Sequence, residues 1–198
     1  MQEYKVNMTK IDTKSLKNGF HWKEYLSSMT ENKGNLKKLI HIVKSKTDLQ
    51  DSIKILEPKL ENKNFIILTE DFCPDSLFNL PIFITIYELI PNLSLQIFKR
   101  SENEYLNETC QSLGLKKIPA VLITDKNLNI LSQWEEKPKK AYKVQSDLLK
   151  KNTLLHETKN DSNITLKELM INSLENKYNI LLWNETISEI NKIANNIN

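Results

Sequence analysis

Glycine is nearly missing, with 3 residues in a chain of 198. A glycine-rich phosphate loop is excluded on that inventory, because such loops need several positions where backbone meets ligand without a Cβ. Cysteine is scarce too: Cys73 and Cys110 are the 2 present, too few for a disulfide framework. No apolar stretch reaches the length of a membrane span, and the start of the chain, MQEYKVNMTKIDTK, has no apolar leader core, so no secretory signal is expected. His21, His41 and His156 are scattered, with no Cys or carboxylate spaced around them as metal ligands. Neither zinc nor a Cys–His hydrolase is expected from them. A large excess of one charge is also lacking. Net charge is +3, and lysines alternate with glutamates along the helical segments, as on solvated helix faces rather than a nucleic-acid footprint. These absences point to a reducing cytoplasm, with no nucleic-acid and no membrane partner; they fix no oligomeric state.

What is present is an ordinary core-forming composition, 39% hydrophobic and 27% charged. The chain is organised around residues 65–90, FIILTEDFCPDSLFNLPIFITIYELI. Phe65 to Leu68 have the length and β-branched content of a buried strand. The polar turn Thr69-Glu70-Asp71 ends it, and Phe72-Cys73-Pro74-Asp75-Ser76 opens a helical pattern. Pro74 fits the first helical turn, where its missing N–H has no intrahelical partner anyway. Cys73 is thereby expected at a helix N-terminus, where free N–H groups and the positive dipole end favour a thiolate.

Along the rest of the chain, residues 1–13 read as polar and loose. Phe20, Trp22, Tyr25, Leu26 and Met29 give one helical apolar face, and Leu36, Leu39, Ile40 and Val43 a second, with a break expected near Gly34. Asp48 or Asp51 is expected to cap a third helix carrying Leu49, Ile53, Leu56 and Leu60. After the 65–69 strand and the 75–90 helix, a strand is expected over 93–99. Ser101 is expected to cap a helix over 102–113, with Glu104 in a capping box and Gly114 closing it. Strands 120–124 and 129–134 flank a hairpin turn, and a helix follows over 139–152. Ile164 to Ile197 read as helical, either folded back onto the N-terminal helices or paired with another subunit. The expected division is 1–61 as a helical extension, 62–152 as an α/β core of order β-α-β-α-β-β-α, and 153–198 as a second helical extension.

The central segment resembles the active-site segment of the thioredoxin family. There a strand ends in a short turn, a C-x-x-C motif caps the next helix, and a proline follows within it. Here the motif reads Cys73-Pro74-Asp75-Ser76, with Pro81 where the family places its helix proline, and Ile118-Pro119-Ala120 resembles the family's Ile-Pro-Thr stretch. The Glu-Asp-aromatic-Cys-x-Asp wording, with FKRSENEYL and QWEEKP downstream, resembles a bacterial branch of uncharacterised thioredoxin-like proteins with extra helices. The likeness covers about Asn62 to Leu149. It implies a thioredoxin-like fold with additional helices at both ends, and a Pro119 that is cis and faces the reactive cysteine.

Two departures from the family pattern bear on chemistry. Ser76 replaces the second cysteine, and a hydroxyl can donate to the Cys73 thiolate but cannot attack a mixed disulfide. Ile67 stands where the family carries a buried acid. What remains resembles a monothiol glutaredoxin: Cys73 as nucleophile, Ser76 as hydrogen-bond donor, and Phe72, Pro74, Ile118 and Pro119 as substrate contacts. Its partners would be protein or small-molecule thiols and disulfides. No cofactor is expected beyond glutathione or another low-molecular-weight thiol as co-substrate. The other reading is a catalytically silent thioredoxin-fold module that binds a protein or peptide. Glu70, Asp71 and Asp75 count against a low thiol pKa, since nearby carboxylates disfavour a thiolate. Cys110 is expected on the opposite face of the sheet as a half-buried apolar residue. Trp134 reads either as groove rim or as packing, and Arg100 as a local ion-pair partner or a contact for an acidic ligand.

Overall fold

The computed structural model describes residues 10–157 and 177–197. Within it the apolar run ahead of Cys73 forms strand β1, Asn64–Thr69, an inner strand of a four-stranded sheet of order β2-β1-β3-β4. Strand β2 (Ser94–Lys99) lies parallel to β1, with Ile67 opposite Ile97. On the other side β3 (Ala120–Thr124) runs antiparallel, with Leu68 opposite Ala120, and β4 (Ile130–Glu135) returns antiparallel to β3. Side chains alternate across the sheet. Phe65, Ile67, Val121 and Ile123 enter one apolar cluster, and Ile66, Leu68, Ala120 and Leu122 a second on the other face. Both faces are covered, which is why β1 and β3 read as unbroken apolar runs.

The two faces are covered unequally. On the first lie α1 (Trp22–Ser28), α2 (Lys33–Lys44), α3 (Thr47–Lys54), α4 (Glu57–Leu60) and α5 (Pro74–Leu89). Helix α5 is buried at every position from Ser76 to Ile86, as expected of a helix apolar on all sides. The second face carries α6 (Glu104–Ser112), through Leu106 and Cys110, together with Ile11 and Leu115. Helix α7 (Lys139–Glu157) follows β4. Helix α8 (Lys177–Ala194) adds Trp183, Ile187, Ile190 and Ala194 to the larger cluster and packs on α3 and α5. The tail therefore folds back onto the chain over these residues. The expected helical positions Leu166, Leu169, Met170 and Leu174 lie outside the described residues, as do the side chains of Leu148 and Leu149.

The strands and α5 fall within a residue or two of their expected bounds, while several helix ends differ. Gly34 is inside α2 rather than at the break, which comes at residues 29–32, with Asn32 in the left-handed region (φ 56°). Lys46, not Asp48 or Asp51, precedes α3. The expected third helix divides before Pro58, which has no N–H to continue it, so Leu49 and Ile53 belong to α3 and Leu60 to α4. Asn103 rather than Ser101 caps α6, its side chain accepting from Leu106 N at 2.9 Å, because Arg100–Glu102 form a separate 3-10 turn. Gly114 closes α6 as expected. At φ 86° it lets Leu115 N reach Cys110 O (2.9 Å) while its own N–H reaches Gln111 O (2.9 Å), a Schellman pair. Residues 10–16 are ordered against the sheet: Ile11 is buried, its N–H donates to Leu128 O at 2.9 Å, and Asp12 caps a short 3-10 turn.

Candidate active site

Cys73 is the N-cap of α5, with Pro74 in the first turn and Asp75 beside it. Its carbonyl accepts the first intrahelical bond, from Leu77 N at 3.0 Å. The side chain does not cap the helix amides. Instead the thiol donates to Ile118 O at 3.5 Å. The Ile118–Pro119 bond is cis. The fold thus brings Cys73, Pro74, Ile118 and Pro119 together at one end of the sheet. Cys73 is 9% exposed and Phe72, next to it, 54%, so the aromatic ring is the open part of the site and the sulfur lies just beneath.

The three carboxylates flanking Cys73 in sequence are each occupied elsewhere. Glu70 accepts from Ser101 N at 2.6 Å. Asp71 accepts from Thr30 N (2.8 Å), Thr30 Oγ1 (3.1 Å) and Glu31 N (3.2 Å), while its carbonyl accepts from Asn32 Nδ2 (2.7 Å). Burial pushes the Asp71 carboxyl up, but these donors and Lys99 outweigh it and hold it below the ordinary carboxylate range. Asp75 pairs with Lys137 at 3.3 Å and accepts from Gln145. Burial pushes its carboxyl up, with Lys137 opposing.

A second polar group joins the cis-proline loop to α5. Glu136, in the left-handed region (φ 63°), donates its N–H to Pro119 O at 2.8 Å and receives Asn79 Nδ2 on its carbonyl at 3.2 Å. Its carboxylate meets Lys137 at 3.0 Å and also binds Lys117 and the Tyr142 hydroxyl. Burial raises this carboxyl, yet the three donors bring it below its ordinary value. Asn79 in turn accepts from Thr186 Oγ1 of α8 at 3.0 Å. The sequence analysis missed Glu136 and Lys137; the charged pair within QWEEKP was the available signal.

Ser76 is one helical turn past Cys73 and 1% exposed. Its hydroxyl has no hydrogen-bond partner and does not reach the thiol in this structure. Tyr25 Oη and Thr69 Oγ1 are likewise buried without one. A buried polar group left unpaired costs about 1–3 kcal/mol, so three together call for an explanation.

Other expected residues fall outside the site. Cys110 is fully buried (1% exposed) rather than half-buried, on the α6 face, and burial pushes its thiol up to about 12. Trp134 is core, its ring 5.2 Å from that of Phe83 and its Nε1 donating to Glu189 at 2.9 Å. Arg100 donates to Lys116 O at 3.2 Å. His21 caps α1. Among the described residues no group of three or more His, Cys, Asp or Glu could hold a metal ion, and no helix is long and apolar enough to cross a membrane. A cleft of about 500 Å³ between β4, α7 and α8, lined by Trp134, Lys139, Tyr142 and Glu189, includes neither Cys73 nor Pro119.

Comparison with known proteins agrees with this fold. A family model described as thioredoxin matches residues 19–153. No curated protein matches the sequence. Among solved structures, a protein of unknown function from Pseudomonas aeruginosa superposes with a TM-score of 0.63 at 18% identity, covering 93% of this chain and 97% of that one. An HIV epitope-scaffold superposes with a TM-score of 0.61, also at 18% identity, over 91% of this chain and 95% of its own. At that identity the likeness speaks to fold alone.

Proposed function

The chain belongs to the thioredoxin family, and from that membership we propose that it is a monothiol thiol–disulfide oxidoreductase acting through Cys73. The observation that carries this reading is the thiol at the N-cap of α5, 3.5 Å from the backbone carbonyl of Ile118. A helix N-terminus favours the thiolate, and the neighbouring carboxylates are held by Ser101, Thr30, Glu31 and Lys137. The Cys73 thiolate attacks one sulfur of a disulfide R–S–S–R′. The Cys73–S–R bond forms as the S–S bond breaks, and R′–S⁻ leaves and takes up a proton. Ser76 cannot resolve the adduct, so an external thiolate attacks it, releasing Cys73 as thiolate and forming a new external disulfide; the electrons come from external thiols. Ser76 would turn its hydroxyl to the thiolate, and Phe72, Pro74, Ile118 and Pro119 would contact the substrate. We place this exchange in a reducing cytoplasm, with glutathione or a similar small thiol as co-substrate and protein or small-molecule disulfides as substrates.

The test is turnover of a glutathione mixed disulfide. Cys73→Ser should abolish it, and Cys110→Ala should leave it unchanged. Turnover that survives Cys73→Ser sinks the proposal. One observation favours a second reading, a silent module that binds a protein or peptide: Cys73 is only 9% exposed while Phe72 stands open. A parent protein with no turnover and an unreactive Cys73 supports that reading instead.

A further inference from the structure

Tyr25 Oη, Thr69 Oγ1 and Ser76 Oγ are the buried side-chain oxygen atoms without a hydrogen-bond partner among the described residues. They sit where β1 ends and α5 begins, the stretch that carries Cys73, and none is within hydrogen-bond distance of its sulfur. Ser76 follows it by one helical turn, where i and i+3 side chains are neighbours. Thr69 ends β1 on the face of Phe65 and Ile67, toward α1 and α5. Tyr25 projects from α1 into the same cluster, fully buried; its hydroxyl faces that of Thr69 without a hydrogen bond of good geometry, and Asp71, Glu70 and Cys73 act on it electrostatically. Chance placement would scatter unpaired hydroxyls over the core. Here they gather around the one thiol to which chemistry is assigned.

The protonation state of that thiol accounts for the gathering. A thiol S–H donates once, and Cys73 gives its proton to Ile118 O. A thiolate has no proton to give and accepts from several donors. The hydroxyls idle beside the thiol are the groups a thiolate would use. We propose that Tyr25, with Thr69 behind it, is a positioning residue that donates a hydrogen bond to the Cys73 thiolate. This inference rests on Cys73 being the nucleophile. Burial and the adjacent acids hold the Tyr25 hydroxyl protonated far above neutrality, so it remains a donor throughout the working range. The charged groups around the sulfur are spoken for. Glu70 and Asp71 of the turn bind backbone amides, and Asp75 of α5 binds Lys137. Glu136 beside the cis-proline loop binds Lys117 and Lys137, and Arg100 at the end of β2 binds Lys116 O.

The experiment is the pH profile of iodoacetamide alkylation at Cys73, followed by peptide mass spectrometry in the full chain. In Tyr25→Phe, which removes one oxygen and keeps the ring, the thiolate fraction at pH 6 should fall about tenfold while the rate at the alkaline plateau is unchanged. Thr69→Val should shift the profile in the same direction by less. A packing defect would not move the midpoint while sparing the plateau, and a melting curve of Tyr25→Phe equal to the parent's confirms the fold. A parent thiol with a depressed pKa that Tyr25→Phe leaves unchanged or lowers overturns this inference and leaves the monothiol reading standing. An ordinary pKa in the parent overturns this inference too; the monothiol reading stands or falls with turnover of the glutathione mixed disulfide.

Discussion

Gly19 faces the ring of Phe98, and a Cβ there would meet the ring carbons at 2.5 and 2.8 Å. Phe98 is 1% exposed, so its ring has packed neighbours to displace before it can give way. Gly19→Ala should therefore destabilise the protein by about 1–3 kcal/mol through overpacking, read as a lower urea midpoint at constant m-value. Gly34, with open space around its Cβ position, should tolerate the same change. At this scale the sequence was informative where one residue carries its own geometry: Pro74 in the first turn, Gly114 after α6 and Cys73 at the N-cap all stand where their chemistry places them. It was silent where function depends on which side chains converge. Tyr25 read only as one member of an apolar face, because a hydroxyl at its tip leaves no mark on helical periodicity. Ser76 reads as a donor to the Cys73 thiolate, and beside the protonated sulfur its hydroxyl is unpartnered.

Among the elements, the loop between α1 and α2 is latched to the turn before Cys73 by the Asp71 carboxylate. The Asp71 carboxyl sits below its ordinary value in the folded chain. Its contribution to stability is thus complete above the unfolded carboxylate pKa of about 4 and is lost as pH falls through the lower folded value. Asp71→Asn should be less stable than the parent at neutral pH by on the order of 1 kcal/mol. The gap between the two should close on acidification, as measured by urea unfolding at a series of pH values; a gap that widens in acid would refute the latch. The same loop shows why helix ends were the least legible part of the fold. Asn32 enters α2 from the left-handed region and the shared acceptor lies 41 residues after Thr30 and 40 after Glu31, so no local pattern marks the boundary. The strands were legible because two covered faces demand unbroken apolar runs.

For the molecule as a whole, α8 completes the larger apolar cluster. Trp183 is buried in it and its Nε1 donates to Phe78 O at 2.8 Å, within the turn of α5 that precedes Pro81. Trp183→Ala should cost about 3–5 kcal/mol through lost packing, the indole hydrogen bond included. Leu181, which is 41% exposed, should accept alanine within about 0.5 kcal/mol. Equal effects at the two positions in chemical denaturation would mean that α8 is not part of the core. The amphipathic pattern of the tail showed that it must cover something, but its acceptor on α5 exists only once the chain has folded.

The unequal cladding of the sheet has a kinetic corollary. Behind β1 and β2 one short helix, α6, with Ile11 and Leu115 beside it, covers Cys110, whereas the opposite side is several helices deep. Transient breathing should begin where the wall is thinnest, so slow modification of Cys110 by a small electrophile would time the lifting of that one lid. The protein carries its own stopwatch for local opening, on the α6 side of the sheet.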